Sequence, residues 1–224
     1  MPYFKNEFQN LLLIHIPKTG GSSLENYFSR IFYIKLDNDS LFSYLNKEKK
    51  ELINKKDNLN NFFLFENISL QHLTYQNIIE NKEFLKLNME NLKIISIVRN
   101  PYERIISDLF YQNGITITFS AEKVLEMIKK YLVSNNLDNH NIPQYKFLID
   151  KNDKLITNLI LLKTENLTEE MKRLGYEDFI ENDHVNTRGK LNYYNYLNND
   201  SIKLINEFYA LDFYYFNYEK KIVF

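Results

Sequence analysis

The chain of 224 residues contains no cysteine. That excludes a disulfide scaffold, a thiolate zinc site and a cysteine nucleophile, and it leaves the redox compartment open. Charge of one sign is missing too: 28 Lys and Arg stand against 29 Asp and Glu, for a formal net charge of -1. A general nucleic-acid binder carries a basic surplus, so nucleic acid is not an expected partner. No apolar run approaches the roughly 18 residues that span a bilayer. The run from Leu11 to Ile14 is too short for the apolar region of a signal peptide. The expectation is a soluble cytoplasmic protein with no membrane span. Glycine is scarce, at five residues, and two of them, Gly20 and Gly21, are adjacent. Arginine is as scarce: Arg30, Arg99, Arg104, Arg173 and Arg188 are the full set. Lysine is the ordinary cation here, so an arginine marks a place where a planar fork is wanted.

What is present is enough to fold. Hydrophobic residues make up 44% of the chain and aromatic residues 15%, well above a disordered composition. No repeat or low-complexity linker divides it, so residues 1–224 read as a single domain. Asparagine is abundant, at 31 residues. Residues 37–61 are rich in Asn, Lys, Asp and Glu and read as a solvated insertion. Its stretch KEKKELINKKD interleaves both signs and contains no arginine, which fits a solvated helix face better than a nucleic-acid patch.

Apolar runs place the strands, and a period of 3.6 places the helices. Leu11–Ile16, Phe62–Phe65, Leu92–Val98 and Leu155–Leu162 read as strands. Leu24, Tyr27, Phe28 and Ile31 mark a first helix. Another starts near Tyr75. At Pro101–Gln112, Asn100 is a good N-cap, Pro101 suits the first helical position, and Glu103 completes an Asn-x-x-Glu capping box. Ser120 caps a helix carrying Val124, Ile128 and Leu132. Thr168–Leu174 stops at Gly175. Ile202, Ile205, Phe208 and Tyr209 mark a C-terminal helix. Strands alternating with helices predict an α/β fold of three layers around a central parallel sheet. Ligands of such sheets bind at the carboxyl ends of the strands.

Two loops sit at those ends. PKTGGSS (17–23) resembles a phosphate cradle. The amides around Gly20 and Gly21, with the start of the next helix, suit an anion. Lys18 adds a charge, and Ser22 and Ser23 add hydroxyls. The Walker motif places its lysine after the last glycine; here Lys18 precedes the pair. The second loop is RNPYERIISD (99–108). Arg99 ends a strand, and Ser107 follows eight residues later. The pattern sets Arg104 and Ser107 as i, i+3 neighbours on the polar face of the helix.

In this order and spacing the two elements resemble the PAPS-dependent sulfotransferases, where PAPS is 3'-phosphoadenosine 5'-phosphosulfate. LLLIHIPKTGGSSL (11–24) looks like the family's 5'-phosphosulfate loop, and IISIVRNPYERIISD (94–108) looks like its 3'-phosphate element. NIPQYKFL (141–148), LLKTENL (161–167), HVNTRGK (184–190) and INEFYALDFYYFNY (205–218) also fit. They are most similar to the carbohydrate branch, which includes bacterial members and heparan sulfate 2-O-sulfotransferase. The resemblance implies a P-loop-like topology and in-line transfer of a sulfuryl group from PAPS to a hydroxyl. It implies no metal, and a carbohydrate or glycolipid acceptor. It assigns Lys18, Thr19, Gly20, Gly21, Ser22, Ser23, Arg99, Ser107 and Arg188 to the nucleotide, with Lys18 also neutralising the leaving phosphate. Lys190 is a weaker match beside Arg188. In QHLTY (71–75), His72 falls in the segment that bears the family's base. An imidazole with an ordinary pKa near 6.5 suits that work; Glu66 is the runner-up. His15 reads as a satisfied core residue, and His140 and His184 read as loop residues. A P-loop-type nucleoside or small-molecule kinase is the second reading, and it requires Mg-dependent ATP binding. A non-catalytic nucleotide-binding module is the third.

Overall fold

Apolar alternation and short turns build a sheet first. The structure is a computed structural model that describes residues 2–37, 40–42, 68–135, 137–180 and 192–222. Strand β1 (Tyr3–Lys5) pairs with β2 (Asn10–Ile14), and helix α1 (Gly21–Phe32) follows. After a 3-10 turn at Leu70–His72 comes α2 (Tyr75–Glu80), then β3 (Lys93–Val98) and α3 (Pro101–Tyr111). Helix α4 (Ala121–Leu132) precedes a 3-10 turn at Gln144–Phe147. Strand β4 (Leu159–Lys163), a 3-10 turn at Thr164–Asn166, α5 (Leu167–Arg173), a 3-10 turn at Tyr193–Tyr196, α6 (Asn199–Phe208) and α7 (Ala210–Tyr215) complete the described elements. The expected strand Phe62–Phe65 lies outside the described residues, as do Glu66, His184, Arg188 and Lys190.

The sheet order is β1-β2-β3-β4. Strands β2, β3 and β4 are parallel, with Leu12 opposite Ile94 and Ile95 opposite Ile160. Strand β1 corrects the expectation of a wholly parallel sheet: it is antiparallel to β2. The turn at residues 6–9 is tied by Asn6, whose side-chain oxygen accepts from the amides of Phe8 and Gln9. So short a connection can only return the chain antiparallel; a parallel crossover needs a dozen residues or more.

Side chains alternate across the sheet. Leu12, Ile14, Ile94 and Val98 face a core with Leu70, Leu73, Ile78 and Phe147. Leu11, Leu13, Ile95, Ile97 and Leu162 face a second core against α1 and α5, through Leu24, Phe28, Leu167 and Met171. The sheet is therefore a covered middle layer, as expected. A third core joins α3, α4, α6 and α7 around Ile106, Val124, Ile205 and Phe213.

Strand β4 is shorter than its apolar run. It begins at Leu159, and Leu155 makes only an isolated bridge to Ile149. The capping box of α3 also departs from its pattern. Asn100 does accept from the Tyr102 amide, but its own N–H goes to Glu165. Glu103, freed from that role, accepts from Arg99. With few glycines, the chain turns left-handed corners with Asn and Asp: among the described residues, six of the ten non-glycine residues at positive φ are of these types. Their short polar side chains tolerate that conformation. Two of them, Asp138 and Asn139, are consecutive and matter below.

Candidate active site

Strand β2 delivers the chain into a tight loop and then into α1. Lys18 has φ 67° and Gly20 φ 91°. Gly20 is the N-cap of α1 in the left-handed region, which favours glycine. Gly21 is required for a different reason. A Cβ there would stand 2.8 Å from atoms of the His15 ring. The N-terminus of α1 has no side-chain cap and no acidic residue in its first turn. Its amides and the positive end of its dipole open on a cleft of about 340 Å³.

That cleft gathers Lys18, Gly20, Gly21, Ser22, Ser23, His72, Arg99 and Ser107, all expected from the sequence. Thr19 is the exception among the described loop residues. It is wholly buried, its hydroxyl donates to the Ile16 carbonyl at 2.8 Å, and its carbonyl accepts from Thr164. It shapes the loop from within rather than lining the cleft.

Arg99 is held at the mouth of β3. Gln144 clamps its backbone from both sides, accepting from its N–H at 2.9 Å and donating to its C=O at 2.9 Å. Asp212 in turn accepts from the amides of Gln144 and Tyr145. The guanidinium donates to the Lys18 carbonyl at 3.3 Å and to Glu103 at 3.2 Å, and lies 5.2 Å from the Tyr193 ring. Its Nε is buried and has no partner among the described residues. A buried donor left so costs free energy and asks for an acceptor.

Arg104 departs from its expectation. It is not on a polar face but 3% exposed. Its Nε, Nη1 and Nη2 donate to the carbonyls of Pro17, Ile142 and His140. All three bonds go to main chain, so Arg104 ties the first loop to the segment around 140. The i, i+3 relation to Ser107 holds along the helix, but only Ser107 reaches the cleft.

His72 is buried at 8% exposure. Its Nδ1 lies 2.8 Å from Asp138 and 3.2 Å from the Ser69 hydroxyl. The left-handed pair Asp138–Asn139 makes this contact possible. Asp138 also accepts from the Ser69 amide, and Asn139 donates to the His72 carbonyl at 2.9 Å. With Nδ1 on a carboxylate, the proton sits there and Nε2 keeps a lone pair. Burial drives the His72 pKa down to about 4, against the raising pull of Asp138. Burial pushes the Asp138 carboxyl up, but bonding and charge from His72, with the bonds from Ser69, leave it below its ordinary value. His15 is buried, as expected, with Nδ1 2.5 Å from Glu25. It nonetheless lines the cleft. His140 lines it as well, with Nδ1 2.7 Å from Asp108. Polar atoms of His72, Asp138 and His140 fall within 4.8 Å of one another. The His72–Asp138 distance is that of a hydrogen bond, so their closeness reads as a dyad rather than a ligand set.

Sequence reasoning missed Asp138, Asp108, Gln144 and the cleft position of His140. Asp138–Asn139 carries a turn signal, but its partner is 66 residues away. No helix among the described residues is long and apolar enough to cross a membrane. No curated protein and no solved structure matches the chain. The model of the sulfotransferase family does, over residues 1–219. A match over nearly the whole chain places this protein in the sulfotransferase family.

Proposed function

We propose that this sulfotransferase uses PAPS as donor and a carbohydrate hydroxyl as acceptor, with His72 as general base. The observation that carries the reading is the meeting of anion donors and a lone-pair imidazole in one cleft. PAPS, when bound, supplies a sulfuryl group on a phosphate leaving group. The Gly20, Gly21 and Ser22 amides donate to the 5' end, where preorganised N–H groups act at low dielectric. Lys18 neutralises the leaving phosphate. The orphan Nε of Arg99 suits the 3'-phosphate, with the Ser107 hydroxyl beside it. Arg188 is assigned to the phosphate by the resemblance alone.

His72 takes the acceptor proton at Nε2, while Asp138 holds Nδ1–H and fixes the ring. Burial takes it from the ordinary value near 6.5 expected from the sequence to about 4, so it stays neutral and accepting throughout the neutral range but is a weaker base than that expectation required. The carbohydrate acceptor rests on the resemblance of the later segments to that branch. Nothing in the family match supports a kinase.

The test is a thermal-shift titration without metal, comparing adenosine 3',5'-bisphosphate with ADP and with ATP plus Mg. A ligand of the native state raises the melting temperature by mass action. Preferential stabilisation by the 3',5'-bisphosphate is expected. Stabilisation only by ATP with Mg overturns the assignment.

A further inference from the structure

Three imidazoles stand in file along the cleft. The His72 ring meets His15 edge-on at 5.2 Å between centroids and His140 edge-on at 5.0 Å. Each has its Nδ1 on a different carboxylate: His15 on Glu25, His72 on Asp138, His140 on Asp108. In each ring Nδ1 is committed, and Nε2 is the nitrogen left to exchange a proton. Side-chain polar atoms of His72 and His140 come within 4.8 Å, a span that one water bridges.

The middle ring is a poor place to leave a proton. Burial disfavours the imidazolium there, and the flanking rings add to the effect. The two ends of the file differ. At one end His15 is enclosed by Glu25, by the Gln71 amide at 3.1 Å and by Gly21. At the other end the His140 ring stacks on Tyr111 at 5.6 Å and 6°, and Tyr111 is 60% exposed. Behind His140, Asp108 also accepts from Tyr131, so its carboxylate is fixed toward the ring.

We propose that His140, backed by Asp108, is the proton outlet of the site. The inference rests on His72 being the base. The Nε2–H bond of His72 breaks and leaves its electron pair on His72. A new N–H bond forms at Nε2 of His140, directly or through one water. The Asp108 carboxylate holds the resulting imidazolium through Nδ1–H, and bulk water or buffer then removes the proton beside Tyr111. The groups facing His140 are Asp108 and Tyr111 from α3, Tyr131 from α4 through Asp108, and His72 with Asp138. Arg104 binds the His140 carbonyl, and the Lys18 ammonium lies over the Tyr111 ring, 4.1 Å from its centroid.

The experiment follows release of adenosine 3',5'-bisphosphate from PAPS in the presence of a concentrated simple alkyl glycoside, in dilute buffer free of imidazole. The expected result is a tenfold or larger loss of rate in His140→Ala that added imidazole restores in a saturable way. The wild type should be insensitive to imidazole. A thermal shift by the 3',5'-bisphosphate verifies that the variant still folds; if His140→Ala does not melt cooperatively, His140→Asn is read by the same criteria. A variant as fast as wild type in dilute buffer overturns the proposal. So does a loss that imidazole fails to restore while the nucleotide still binds. Wild-type activity removed by a chelator and restored by zinc reassigns the cluster to a metal and also overturns it. A wild type that releases no bisphosphate from PAPS sinks the sulfotransfer reading itself, and this one with it.

Discussion

The two walls of the cleft are built on opposite principles. The anion wall, from Lys18 to Ser23 with Arg99, leaves donors unsatisfied: an uncapped helix start and a buried guanidinium Nε. The histidine wall is satisfied almost throughout, each Nδ1 resting on a buried or half-buried carboxylate. On the anion wall the Nε of Arg99 stays without a partner among the described residues, although Glu103 already meets the same guanidinium. The histidine wall fixes tautomers before any substrate arrives. Arg99 and Arg104, five residues apart, show the same division within one helix start. Arg104 spends its donors on three main-chain carbonyls, so it is architecture. Arg99 keeps one in reserve.

Substitutions that strike one wall and spare the other test this division. The largest effect is expected from His72→Ala. Turnover should fall by about 10²–10⁴-fold, the range of a general base, while affinity for adenosine 3',5'-bisphosphate stays within about twofold. Calorimetric titration of the variant checks the second half, and a wild-type rate removes His72 from the base role.

Next comes acid stability. His72 goes from 6.5 to about 4 on folding, so the unfolded chain binds the extra proton between those values. The contribution is full above pH 6.5 and lost as pH falls toward 4. At about 1.4 kcal/mol per unit it amounts to about 3 kcal/mol. Asp212, raised to about 6 by burial, acts in the opposite sense over the same window, so the His72 share is the difference between two proteins. As pH falls from 6.5 toward 4 the wild-type denaturant midpoint should drop relative to that of His72→Gln, and identical pH profiles would show that another group carries it.

Arg99→Ala should weaken the bisphosphate by about tenfold or more, since hydrogen bonds to charged groups are worth about 1.5–3 kcal/mol. Undiminished affinity would detach Arg99 from the phosphate. The smallest effect belongs to Gly21→Ala, where the two walls touch. Its methyl meets the His15 ring, and overpacking of this kind costs about 1–3 kcal/mol. The melting temperature should drop by a few degrees with turnover impaired as well. A variant with unaltered melting would mean that the ring yields freely.

Much of the anion wall was legible because its determinants are close in sequence. A strand, a glycine pair and a helix start within some fourteen residues already define a cradle. The capping signals of α3 placed Arg99 at a strand end. The inward turn of the Thr19 side chain was not legible, because spacing cannot say which side chain of a tight loop faces the fold. Arg104 was misread because helical periodicity separates faces but not which face is covered. That answer came from Pro17, His140 and Ile142, none of them on its helix.

The histidine wall was legible only as one residue, His72. Its character depends on Asp138, 66 residues on, and on a left-handed Asp-Asn pair that looks like any surface turn. Sequence alone determined strands β2 and β3, the helices that follow them, and the glycine loop and arginine at their carboxyl ends, because backbone propensity and helix-end chemistry act over a few residues; it gave no sign of β1. Tertiary structure decided which arginine is spent and which is held back. It also decided that three histidines share one cleft, because burial and carboxylate pairing exist only once distant segments meet.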